Sequence, residues 1–120
     1  MPDLSPEARA RAERTIDVAA VFAANADAII DAMAYVPDGF VLVALVDGNH
    51  NFSGLHQIST ATMVEDVPEL EADGGWAMVF PHGTTRDDID RRTADLADIN
   101  RQRIAAIDRI LARRADPDAS

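Results

Sequence analysis

The amino-acid sequence predicts an α+β fold in which a small antiparallel sheet of three or four strands is flanked by two long terminal amphipathic helices. Three observations predict this fold. Apolar residues recur at helical spacing in the first and last thirds of the chain, an unbroken apolar run lies between them, and turn residues separate the patterns. The predicted order is α-β-β-(β)-β-α, and a length of 120 residues suits a single domain, 1–120.

The first helix is predicted over residues 6–35. Ser5 suits the N-cap, and Pro6 suits the first helical position, where its missing N–H costs no hydrogen bond. An apolar stripe at three- and four-residue spacing follows, formed by Ile16, Ala19, Ala23, Ala26, Ile30 and Met33. Pro and Gly in the segment 37–39 end the helix.

The sheet is predicted between about residues 39 and 81. The run 40–46 is apolar at every position, as expected for a strand buried on both faces. The turn signal at 47–49 indicates a second strand around residues 51–57, and residues 76–80 form the last strand. Residues 58–64 are expected to be extended, with a short helix as the alternative, and residues 65–75 to form an acidic loop.

The last helix is predicted over about residues 85–114. Thr84 or Thr85 can form a capping box with the Asp three residues later. One face of this helix carries a set of branched apolar residues, namely Ile89, Leu96, Ile99, Ile107, Ile110 and Leu111. Residues 115–120 are expected to form a frayed tail.

The composition excludes several classes of protein. Without Cys, the chain cannot be a disulfide scaffold, a thiol enzyme or an iron–sulfur protein. A formal charge of −10 argues against a nucleic-acid binder. The N-terminus lacks the pattern of a signal peptide, and acids interrupt the apolar stretch 16–36, so we expect a cytoplasmic protein without a membrane span. All 11 basic residues are Arg, a bias typical of GC-rich genomes, which suggests a bacterium or its phage.

The lengths of the predicted helices favour a homo-oligomer. A helix of about 30 residues is about 45 Å long, whereas a compact chain of this size is about 35 Å across. The strand 40–46 is also apolar on both faces, and one layer of helices covers only one of them. The helical overhang and the second face of the strand are therefore expected to pack on another copy of the chain.

Polar residues within the apolar face of the last helix point to an association seam. A central polar residue in a helix–helix seam can determine register and oligomeric state, and Asn100 occupies such a position. The alternative is that Asn100 lies at the rim of a helix packed on the sheet. The predicted oligomer interface consists of Leu96, Asn100, Arg103, Ile107 and Ile110.

A second candidate surface is the acidic segment in the middle of the chain. Residues 37–84 carry seven acids and no Arg. Five of these carboxylates lie close together in the sequence and would suit a basic protein partner, namely Glu65, Asp66, Glu69, Glu71 and Asp73. The alternative is a solvated loop that keeps the protein soluble.

The three histidines offer the main enzymatic alternative. Three imidazoles can bind a transition-metal ion, so His50, His56 and His82 are a candidate metal site. Ser53 lacks the flanking glycines of a nucleophile elbow, and no phosphate- or dinucleotide-binding motif is present, so no cofactor is expected. The sequence predicts a non-enzymatic, homo-oligomeric assembly protein; the alternatives are a small metal-dependent or hydrolytic enzyme and an acidic inhibitor of a basic partner.

Overall fold

The computed structural model describes residues 6–70 and 75–115 and confirms the predicted α+β fold. The predicted N-cap Ser5 and all of the predicted frayed tail except Ala115 lie outside the described residues. The elements in chain order are α1 (Pro6–Ala24), α2 (Ala26–Met33), β1 (Phe40–Val46), β2 (Phe52–Ser59), α3 (Met63–Leu70), β3 (Trp76–Pro81) and α4 (Arg86–Ala115).

The described strands form one antiparallel sheet in the order β2-β1-β3. The central strand is β1, in which Val43 lies opposite His56 of β2 and Val79 of β3. Because β1 has a neighbour on each side and is covered on each face, its residues 41–44 are buried, as the apolar run predicted.

The two faces of the sheet are covered by different helices. On one face, Leu42 and Phe80 pack with Phe22 of α1, Ile29 of α2 and Ile89 of α4 in the main core. On the other face, a smaller cluster forms around Val41, Val43 and Ile58, with Met63 and Val67 of α3 packed against it.

The helix α3 corrects the predicted acidic loop. Of the segment 58–64, residues 58 and 59 are extended in β2, and residues 63 and 64 begin the short helix that was the alternative. Residues 65–70 are helical rather than part of a loop, and residues 71–74 of the predicted loop lie outside the described residues. The helix forms because it buries the apolar side chains of Met63 and Val67 on the sheet, an interaction that local pattern does not reveal. Since α3 covers part of the second face of β1, that face does not require a second copy of the chain.

The predicted first helix is divided at Asn25. The Asn25 backbone N–H is shared between the carbonyl oxygens of Val21 and Phe22, at 3.2 and 3.1 Å, and its side-chain amide donates to Val21 at 2.8 Å. An Asn side chain that competes for backbone acceptors in this way weakens a continuous helix. Beyond the break, α2 turns its apolar residues, Ile29 and Met33, into the main core.

The helices α1 and α4 pack side by side in opposite directions. Arg9 near the start of α1 pairs with Asp108 near the end of α4, and Arg86 at the start of α4 pairs with Asp27. The resulting molecule is elongated, with a radius of gyration of 17.0 Å and extents of 59 × 28 × 24 Å. A compact chain of this length has a radius of gyration of about 13–14 Å, so the helical overhang is accommodated by elongation.

Candidate functional site

A cleft of about 630 Å³ opens where α1 and α4 continue beyond the sheet. At this end, the sheet stops at the pair formed by Val46 and Trp76. Past that pair, the helices lose the sheet that covers their inner apolar faces in the rest of the molecule. The apolar part of the lining of this Trp76 cleft therefore comes from the helices and consists of Ala8, Ala12, Ala106, Ile107 and Ile110.

The wall of the cleft is the indole of Trp76, which is held from several sides. Its Nε1–H donates to the hydroxyl oxygen of Thr15 at 3.2 Å, and that hydroxyl donates to the backbone oxygen of Arg11 at 2.7 Å. The Arg11 guanidinium carbon lies 4.8 Å from the indole centroid, and the His50 ring meets the indole edge-on at 5.5 Å. These contacts hold the ring in one orientation against α1.

The opposite side of the cleft is organised by Asn100 on α4. Asn100 is only 4% exposed, and its side-chain amide donates to the Leu96 backbone oxygen at 2.7 Å. Its side-chain oxygen accepts a hydrogen bond of 3.3 Å from Nη1 of Arg103. Asn100 therefore has both ends of its amide occupied and orients the Arg103 guanidinium at the cleft.

The charged side chains that line the cleft differ in sign from the net charge of the chain, which is −10. Both charged side chains in its lining are arginines, Arg11 and Arg103, and no carboxylate lines it among the described residues. Neither arginine belongs to any ion pair found in the described ranges, whereas Arg9 and Arg86 each contact two carboxylates. The remaining polar groups are a hydroxyl and an amide, so the cleft is suited to hold an anion by charge and hydrogen bonding.

Four of the five predicted interface residues meet at this cleft. Asn100, Arg103, Ile107 and Ile110 line it, whereas Leu96 lines a neighbouring depression between α4 and β3. Ile107 is 2% exposed because it packs within this chain, as Asn100 does. The hydrogen bonds of Asn100 lie within α4, and the role of these residues in an oligomer interface stays a prediction.

The structure does not bring the three histidines together. His50 lies beside Trp76 at one end of the sheet, and His82 lies at the other, with Nδ1 2.9 Å from the Val36 backbone oxygen. His56 is exposed on β2, opposite the middle of β1. Over residues 6–70 and 75–115, no group of three or more His, Cys, Asp or Glu side chains is placed to hold a metal ion.

The acidic segment is only partly described. Glu65 is exposed on α3, and Asp66 accepts a hydrogen bond of 2.7 Å from the Thr62 hydroxyl at the start of that helix. The side chain of Glu69 and the whole of Glu71 and Asp73 lie outside the described residues. The predicted partner-binding set therefore begins on a helix rather than in a loop.

Sequence reasoning missed the residues from outside α4 that complete the cleft, namely Arg11, Thr15 and Trp76. One signal was present in the pattern. Thr15 lies three and seven positions before Val18 and Phe22, on the buried face of α1, where a hydroxyl needs a partner. The hydroxyl donates locally to the Arg11 backbone oxygen, whereas the group that donates to it, the Trp76 indole, is 61 positions away and is not identified by local spacing.

Comparison of the chain with protein-family models, curated proteins and solved structures gave no match. Within the described part of the chain, no helix is both long enough and apolar enough to cross a membrane.

Proposed function

We propose that this protein is a non-enzymatic, cytoplasmic assembly protein that forms homo-oligomers through a two-helix arm. The arm consists of residues 6–15 of α1 and 101–115 of α4, which extend past the sheet. The observation that carries the proposal is the uncovered inner face of this arm, because the same helix faces are buried against the sheet in the rest of the molecule.

Two helices alone bury only the seam between them, so the arm leaves apolar surface open. Ile110 is half-buried, and Leu111 is 41% exposed on the same turn of α4. Beside them, Ala106 is small enough to allow another helix to approach closely. Packing of two such arms into a four-helix bundle would cover these residues in the way that helix bundles cover their inner faces.

The charge distribution favours a second copy of the arm as the occupant. The arm carries eight of the 11 arginines together with Glu7, Glu13 and Asp108, so its rim contains both signs of charge and can complement itself. The described residues 16–100 carry 13 acids and three arginines. Arm-to-arm packing would place the acidic parts of the two chains, residues 16–100, at opposite ends of the dimer, where their mutual repulsion is weakest.

The proposal is tested by the native mass of two matched variants. Ala106→Glu places a carboxylate in the uncovered face, whereas Ala105→Glu places it on the exposed outer side of the same turn. We expect light scattering to give a multiple of 13.0 kDa for the wild type and for Ala105→Glu, and a monomer for Ala106→Glu. A wild-type monomer throughout the micromolar range, or the same mass for both variants, would contradict the proposal.

A second candidate is an acidic inhibitor that docks α3 on a basic partner. The observation that favours it is Val64, which is 82% exposed beside the exposed Glu65. An exposed apolar side chain flanked by charge suits a small protein interface. Charge reversal by Glu65→Arg would abolish such docking and leave arm-mediated association unchanged, so binding and mass measurements separate the two candidates.

A further inference from the structure

We propose that the Trp76 cleft binds the carboxylate group of an anion with a flat apolar body. Arg11 and Arg103 would supply the positive charge, and Trp76 would supply the apolar surface. Ala106 and Ile110, on which the proposed association depends, line the same cleft. The inference does not require that association, because it is argued from Arg11, Arg103 and Trp76 of one chain.

The lack of a carboxylate partner for Arg11 and Arg103 is the first observation in favour of a bound anion. Elsewhere on the molecule, Arg9, Arg86, Arg91 and Arg101 all have a carboxylate within 4 Å. Seven arginines have no such carboxylate among the described residues, and two of these seven, Arg11 and Arg103, line the same cleft. A carboxylate in this cleft would pair with positive charge that no described carboxylate neutralises.

The orientation of the two guanidinium groups is the second observation. The Arg11 guanidinium carbon lies over the Trp76 ring, and the Arg11 N–H groups have no side-chain acceptor among the described residues. Arg103 uses Nη1 to donate to Asn100, and its other N–H groups have no acceptor among the described residues. A carboxylate offers two oxygens in one plane, which suits donors of this planar kind.

The apolar lining explains why the ligand should have a flat apolar body. Ala12, Ile107 and the Trp76 ring line the same cleft as the two arginines. A cleft of about 630 Å³ lies within the size range of small-molecule sites. Inorganic phosphate would use only the charges, whereas an arylacetate would also bury its ring against this surface.

The experiment follows the indole N–H signal of Trp76 in a nitrogen–proton correlation spectrum. Trp76 is the only tryptophan, so one cross-peak reports on the cleft. We expect phenylacetate to shift it saturably, with a Kd of about 0.1–1 mM, which is reasonable for a ligand of this size at a solvent-accessible site. Its neutral analogue 2-phenylethanol and inorganic phosphate should each bind at least about tenfold more weakly, since each retains only one of the two contributions.

Variants at the two arginines test the assignment. Arg11→Gln and Arg103→Gln should each weaken phenylacetate binding about tenfold, because each removes one charge-assisted contact. Arg14→Gln is the matched control, because Arg14 is exposed on the same helix but does not line the cleft. The proposal is overturned if the Trp76 cross-peak does not move with phenylacetate, or if all three variants bind it equally.

The carboxylate could also come from a side chain of a second copy of the protein. The native mass, measured with and without phenylacetate, distinguishes this source from a free small molecule. If phenylacetate binds without changing the native mass, the cleft serves a free small molecule. If binding lowers the mass, the ligand displaces an acidic side chain of a partner copy from the same arginines. Either result supports the carboxylate site, and only the second requires that the wild-type chain forms an oligomer.

Discussion

At the scale of single residues, Gly75 controls how β3 begins. A Cβ atom added to Gly75 would lie 2.5 Å from the Val46 backbone oxygen, which cannot move without disturbing the pair that ends the sheet. We predict that Gly75→Ala lowers the free energy of unfolding by about 1–3 kcal/mol, the usual effect of overpacking. Because Trp76 follows directly, the same substitution should shift the indole signal in the folded protein.

The control for this prediction is Gly54→Ala. A Cβ at Gly54 would approach the end of the His56 side chain at 3.3 Å, and that exposed ring can rotate away. Urea unfolding followed by tryptophan fluorescence measures both variants. Equal stability of Gly75→Ala and Gly54→Ala would mean that the approach of Val46 to Gly75 does not constrain this turn.

At the scale of secondary structure, the start of α4 is stabilised by a capping box. The backbone N–H of Thr85 donates to the Asp88 carboxylate at 3.0 Å, and the Asp88 N–H donates to the Thr85 hydroxyl at 3.1 Å. Of the two capping residues considered from the sequence, Thr85 therefore forms the box; the Thr84 hydroxyl donates to Pro81 instead. These bonds to Thr85, with a further contribution from Arg91, hold the pKa of Asp88 below its usual value.

The lowered pKa of Asp88 predicts a dependence of stability on pH. A carboxyl group with a lower pKa in the folded state than in the unfolded state stabilises the fold when ionised, above the unfolded value of about 3.9. That stabilisation is lost as pH falls from about 5 through the folded pKa. We expect Asp88→Asn to reduce the loss of stability over this range, as measured by urea unfolding at several acidic pH values.

The neighbouring variant Asp87→Asn is the control for the capping box. It removes a carboxylate from the same helical turn and leaves the hydrogen bonds between Thr85 and Asp88 in place. If Asp88→Asn and Asp87→Asn show the same acid dependence, the capping box does not contribute to it.

At the scale of the whole molecule, the arm differs from the body, which comprises the described residues between 16 and 100, in the number of packed layers that cover its apolar side chains. In the body, the sheet is covered on both faces, whereas the arm consists of one helix–helix seam with an exposed ion pair between Arg9 and Asp108. Exposed ion pairs contribute about 0–1 kcal/mol, so most of the stability of the arm comes from its apolar seam. The arm should therefore open at a lower free energy than the body.

Hydrogen exchange tests this difference directly. We predict faster amide exchange in residues 6–15 and 104–115 than in residues 16–24 and 89–100 of the same two helices. If arms associate, protection of the arm alone should increase with protein concentration. Uniform protection along α1 and α4 at low concentration would show that the arm is as stable as the body.

The sequence by itself determined β1, β3, α4 and the antiparallel α+β arrangement, because these features depend on local apolar patterns, turn residues and capping. Only the tertiary structure decided that the first helix breaks at Asn25, that 63–70 is helical and that a cleft exists. The Trp76 cleft depends on contacts such as that between Thr15 and Trp76, which join residues distant in the chain. Such contacts depend on how the helices lie on the sheet and on where the sheet ends. The spacing of residues along the chain predicts neither.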